Sequence, residues 1–178
     1  MISYHMLKKF KFFQKTMNKM LQNDDVESLE KHAIRECNEL LSGELAHLGI
    51  KNYRYKTDDA VAELGLDKEL VDQLVDDYVA QVIKATTQFD KYLEKLQDSR
   101  DNHLQLDYTL FRELAHKNLG VARNLRIRDA EALLYELMKK EDLTYLLRCL
   151  EALKVCAIKL RPQCAYDTLQ LIQLKNSL

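Results

Sequence analysis

The sequence predicts an all-α protein, and three observations carry that expectation. The 178 residues hold only 4 Gly and 1 Pro, with no Trp, which leaves little turn chemistry for a sheet. Apolar residues recur at helical spacing over long stretches. The connectors between those stretches are short, which forces successive helices to lie antiparallel. The expected architecture is an antiparallel up-down four-helix bundle over residues 58–178, closed by a C-terminal helix. A helical extension, residues 1–57, precedes it.

Residues 1–22 carry Lys8, Lys9, Lys11, Lys15 and Lys19 and no acid, with Phe10, Phe12, Phe13, Met17 and Met20 between them. A leading helix that lays its aromatic side on the body of the protein is expected; binding to an anionic membrane surface is the alternative. Asp24 or Asp25 can cap a second helix to residue 42, with Val26, Leu29, Ala33, Cys37, Leu40 and Leu41 as its apolar stripe. Gly43 and Gly49 bracket its end, and residues 50–57 read as a connector. A short helical turn at 58–64 stops at Gly65.

Asp67 can cap the longest helix. Its stripe is Leu70, Val71, Leu74, Val75, Tyr78, Val79, Val82, Phe89, Leu93 and Leu96, and the polar run from Asp98 to His103 closes it. Nearly thirty residues give about 45 Å, enough for the spine of a bundle. Three helices follow at about 106–126, 129–140 and 143–161, the last stopped by Pro162. A final helix spans about 164–175.

The bulk numbers narrow the function. A formal net charge of −1 lacks the basic excess that phosphate-backbone binding needs, so nucleic acid is not expected as a partner. No run reaches the ~18 apolar residues of a membrane span, and the N-terminus has no signal-peptide core. A cytoplasmic protein is expected. Cys37, Cys149, Cys156 and Cys164 show no CxxC spacing, which fits free thiols on apolar helix positions.

Residues 114–125, Leu-Ala-His-Lys-Asn-Leu-Gly-Val-Ala-Arg-Asn-Leu, carry the chemistry. A glycine inside a helix costs about 1 kcal/mol against alanine, so Gly120, one turn after His116, suggests close approach of something to the backbone. At ~100° per residue, Leu110, Phe111, Leu114, Ala115, Val121, Ala122 and Leu125 fall on the face opposite His116. Thr109, Arg112, Glu113, Gly120 and Arg123 gather within about 60° of it. His116 is therefore expected to face solvent.

This run resembles the histidine-containing phosphotransfer (HPt) domain family, the intermediate carriers of multistep phosphorelays. The matching places are Ala115-His116, Gly120, Val121-Ala122 and Asn124-Leu125. The segment from Gly65 to Leu70, the long helix and the trailing stretch from Glu131 to Leu137 are similar to the family pattern as well. The resemblance covers about residues 58–161. It implies that His116 accepts and donates a phosphoryl group, exchanged with the aspartate of a response-regulator receiver domain or hybrid histidine kinase. That partner would supply Mg²⁺ and most of the electrostatics. An exposed imidazole is mostly neutral at pH 7, as a nucleophile must be. There is no Gly-rich phosphate loop or Walker motif, so no ATP-dependent kinase activity and no intrinsic cofactor are expected.

The sequence departs from the family where Leu-Lys normally precedes the glycine. Asn118 stands there instead, in the middle of the buried stripe, followed by Leu119 on its margin. A buried amide needs partners, and the absent lysine removes a charge that would steady a phosphoryl group. Arg123 is the expected substitute, reaching back over the gap at Gly120 because helical side chains lean toward the N-terminus; Lys117 is the second candidate. Exposed Leu119, with Arg112 and Glu113, would belong to the docking surface. Two other readings compete. An HPt-like helical adaptor could bind receivers without accepting phosphate. A di-iron bundle uses two Glu-x-x-His motifs, and Glu44/His47 and Glu113/His116 have that spacing.

Overall fold

A single helix organises the structure. In this computed structural model, which describes residues 15–19, 21–22 and 25–178, every side chain from Leu146 to Ile158 is buried. A helix buried on every side, with apolar residues around most of its circumference, can only be stable with neighbours all round. Its neighbours are helices throughout, and no strand occurs among the described residues. The elements after residue 25 are α1 (Val26–Ser42), a 3₁₀ turn (Ala46–Leu48), α2 (Thr57–Leu64), α3 (Lys68–Asp101), α4 (Thr109–Asn124), α5 (Arg128–Lys139), α6 (Leu143–Leu160) and α7 (Pro162–Asn176). Helix α6 packs against α1, α3, α5 and α7, while α4 lies against α3 and α5. The short α2 rests on α3.

Local chemistry accounts for most boundaries. Asp25, Asp67 and Asp142 cap α1, α3 and α6, their carboxylates accepting from the backbone N–H of Ser28, Leu70 and Tyr145 at 2.9, 2.8 and 2.7 Å. Gly65 ends α2 in the left-handed conformation, φ 65°, where glycine has no steric cost. The long helix runs through Asp101, four residues into the polar run expected to stop it, and ends as His103 takes φ 56°. At 34 residues it is about 51 Å long. Pro162 begins α7 as well as ending α6. At the first helical position its missing N–H is no loss, and it forces Arg161 out of helical geometry, to φ −143° and ψ 80°. The Arg161 guanidinium then braces the bend against Asp72 (2.7 Å) and Asp76 (2.9 Å) of α3.

The segment before residue 57 shares the core of the rest. Met17, Leu21, Leu29, Ala33, Cys37, Leu41 and Leu45 are buried in one continuous cluster with the side chains of α6. Phe10, Phe12, Phe13, Met20 and the lysines Lys8, Lys9 and Lys11 lie outside the described residues. A polar chain fastens the 3₁₀ turn to the α5–α6 hairpin: His47 Nε2 is 2.9 Å from the Tyr145 hydroxyl, which donates to Glu136 at 2.6 Å. No helix among the described residues is long and apolar enough to cross a membrane.

Helix α6 also buries charge. Arg148 reaches Glu44 at 3.1 Å and Glu151 at 2.5 Å. Lys154 feels the carboxylate of Asp90 on α3. Burial pushes the Asp90 carboxyl from an ordinary 3.8 up to about 6, against the pull of Lys154. The folded chain thus binds this proton more tightly than the unfolded one, and its contribution to stability is lost as pH rises from about 4 to about 6. Asp90→Asn should flatten the stability profile across that window, as read by urea unfolding at a series of pH values. Leu153, fully buried on α6, should cost about 2–5 kcal/mol when changed to alanine. Leu171→Ala, on the exposed side of α7, should stay within about 0.5 kcal/mol by the same measurement.

Candidate functional site

Helix α4 buries Phe111, Ala115, Asn118, Leu119 and Ala122 and exposes Glu113, His116, Lys117, Gly120 and Arg123. The imidazole of His116 stands on the solvent side, as its angular position predicts. It makes no hydrogen bond among the described residues. One turn on, Gly120 has open space around it: a Cβ built there would meet nothing within 4 Å. Nothing inside the fold therefore requires a glycine at this position.

Asn118 is 1% exposed and its amide is satisfied. Its Nδ2 donates to the Leu114 carbonyl at 2.9 Å, and its Oδ1 accepts from Gln81 Nε2 of α3 at 3.1 Å. Phe111 of α4 meets Phe89 of α3 edge-on, with centroids 5.0 Å apart. The pairs 81–118 and 89–111 run in opposite senses, so α3 and α4 are antiparallel. The sequence reading did not single out Gln81; the signal available was an amide in the middle of an otherwise apolar stripe.

Two expectations are corrected. Leu119 is buried, 2% exposed, and offers no apolar surface to a partner. The helical wheel sets it on the margin of the stripe, but α5 packs closely along that side of α4 and covers it. Arg123 is not laid over Gly120 toward the imidazole. Its Nε donates to Glu131 in the first turn of α5 at 2.8 Å. The backbone reverses just beyond it, where Arg126 takes φ 61°, and this brings the start of α5 alongside the end of α4. The Arg123 pair is half-exposed, with side chains 52% and 37% accessible, so it is a weak tether.

Arg112, one turn before His116, is held by Glu141 at 2.5 Å and lies over the Tyr108 ring, 5.1 Å from its centroid. Tyr108 in turn donates to the Glu141 carbonyl at 2.7 Å. With Glu113, these residues line an open cleft of about 720 Å³ at the start of α4. Lys117 is exposed and has no ion pair among the described residues.

The Arg123–Glu131 pair joins the end of α4 to the first turn of α5, and Arg112–Glu141 joins the start of α4 to the loop after α5. Counting seven residues back from Arg123 and seven on from Glu131 places His116 near the level of position 138. Leu137 is buried there. Tyr135, 43% exposed, flanks that level, and the Lys139 ammonium stands 5.8 Å over its ring. Lys139, exposed at the end of α5 beside exposed Lys140, is thus a cation near the level of His116 that the spacing within α4 could not reveal.

The Glu113/His116 and Glu44/His47 pairs both lie at exposed positions. Among the described residues no group of three or more His, Cys, Asp or Glu side chains is arranged to hold a metal ion. Comparison with protein-family models, with curated proteins and with solved structures finds no match.

The open space at Gly120 has a measurable consequence. Gly120→Ala should stabilise the isolated protein by up to about 1 kcal/mol, measured by thermal or urea unfolding. A destabilised variant would show that the fold itself uses the glycine.

Proposed function

We propose that the chain is an HPt-like phosphocarrier, with His116 as the phosphoacceptor. The observation that carries the reading is an exposed imidazole beside a helical glycine that the fold does not need. That combination suits a partner whose backbone or loops must come close to α4. The packing order supports the same reading: α3 lies on α4, α4 on α5, α5 on α6 and α6 on α3, as a four-helix bundle requires. Helices α1 and α7 are then additions to one side of that bundle.

In this reading a receiver domain docks over Gly120 and presents its aspartyl phosphate in line with a ring nitrogen of His116. The new P–N bond forms as the P–O bond to the aspartate breaks, and the aspartate leaves as a carboxylate. Because the transition state is loose, the work is positioning and charge stabilisation. The receiver contributes Mg²⁺. This chain contributes the nucleophile and a fixed surface, with Arg112 and Glu113 at one end and Lys117 alongside. Lys139 supplies the cation absent before Gly120, because Arg123 is engaged by Glu131.

A second reading has its own support. Asn118 and buried Leu119 replace the family's Leu-Lys, which favours an adaptor that binds receivers without taking the phosphoryl group. A receiver domain carrying a radiolabelled phosphoryl group separates the two. The carrier acquires acid-labile, alkali-stable label, lost completely in His116→Gln. The adaptor binds the receiver and stays unlabelled.

Two variants refine the site. Gly120→Ala should lower the transfer rate by tenfold or more through steric exclusion while leaving the free fold intact, checked by circular dichroism. Lys139→Ala should shorten the phosphohistidine lifetime several-fold, and Arg123→Ala should change it less.

A further inference from the structure

Cys37 of α1 and Cys156 of α6 lie 119 residues apart in sequence, with their sulfur atoms 3.6 Å apart. Both are buried, at 1% and 4% exposure. Lys159, one turn beyond Cys156 on the same helix, donates from Nζ to the Cys37 sulfur at 3.6 Å. Two thiols and an ammonium group therefore meet at the seam between α1 and α6. The phosphoryl chemistry proposed for His116 makes no use of them.

The environment distinguishes the two sulfurs. The hydrogen bond shared with Cys156 and the charge of Lys159 outweigh burial and hold the Cys37 thiol down to about 7. Cys156 is pushed up by its hydrogen bond with Cys37, by burial and by the nearby carboxyl of Asp129. The surroundings thus favour ionisation of Cys37 over Cys156, with the second sulfur 3.6 Å away. The remaining cysteines differ. Burial pushes Cys149 up to about 12, and Cys164 donates to the Asp76 carbonyl at 3.2 Å.

We propose that Cys37 and Cys156 form an oxidative modification site at which a small peroxide produces an intramolecular disulfide. The Cys37 thiolate attacks one oxygen of hydrogen peroxide, the O–O bond breaks, and hydroxide leaves and is protonated to water. Cys37 is then a sulfenic acid. The Cys156 sulfur attacks the Cys37 sulfur, the S–O bond breaks, and a second water departs with the Cys156 proton. Two thiols and one peroxide become one disulfide and two waters. The sulfurs need close by only about 1.6 Å to reach bonding distance. Burial selects for a small, neutral oxidant. The bond fastens α1 to the central helix and does not depend on the phosphocarrier reading.

The test uses the full chain, reduced and then treated with hydrogen peroxide at neutral pH. Thiols counted after denaturation should fall from the four present to two, and recover with dithiothreitol. Peptide mapping without reductant should show Cys37 joined to Cys156. In Cys156→Ser the Cys37 sulfenic acid should persist and be captured by dimedone; Cys37→Ser should lose both products. His116→Gln should react like the unaltered chain. Four surviving thiols, a bond between other cysteines, or a Cys37–Cys156 bond formed equally well in urea would each overturn the proposal.

Discussion

The burial of α6 on every side is the constraint on which the other elements depend. Thirteen successive side chains, Leu146 to Ile158, leave no face for water. Hydrophobic burial is non-directional and scales with the apolar area removed from water, so a helix of this composition must collect neighbours around its circumference. Helices α1, α3, α5 and α7 are those neighbours. The charges of Arg148, Glu151 and Lys154 on the same helix do not contradict this, because each has a counter-charge close by. An unpaired charge there would carry a prohibitive desolvation cost.

Helix α4 is held differently, and that difference gives it an outward face. It does not touch the full circumference of anything; it lies in the groove between α3 and α5. The side of α4 away from that groove is free. On it stand His116 and Gly120, between the Arg112–Glu141 and Arg123–Glu131 ion pairs. Asn118 is on the inner side, tied to α3 through Gln81. This amide on an otherwise apolar stripe is thus a satisfied link between two helices. An apolar residue at that position would leave the Gln81 amide without this partner.

The seam between α1 and α6 combines packing with chemistry in another way. Leu29, Ala33 and Leu41 pack there, while Cys37 and Cys156 bring two sulfurs and the Lys159 ammonium together in the same place. Burial alone raises a thiol's pKa; a hydrogen bond and an ammonium group lower it. The two cysteines are split by that competition, although both began as ordinary small residues on apolar stripes.

Composition and periodicity by themselves determined that the chain is helical, where most helices lie and which face of α4 is apolar. These properties depend on residues three and four apart along the chain, and residues such as Asp25, Asp67, Gly65 and Pro162 mark boundaries by local backbone chemistry. The exposure of His116 and the burial of Asn118 belong to that class. Tertiary structure alone decided the fate of residues on the margins and ends. Leu119 is covered because α5 lies beside it, Arg123 turns to Glu131 because the chain reverses at Arg126, and the exposed Lys139 comes from a different helix. The meeting of Cys37 with Cys156 is of the same kind. A helical wheel gives direction around one axis, whereas contact between distant residues depends on how several axes are placed together.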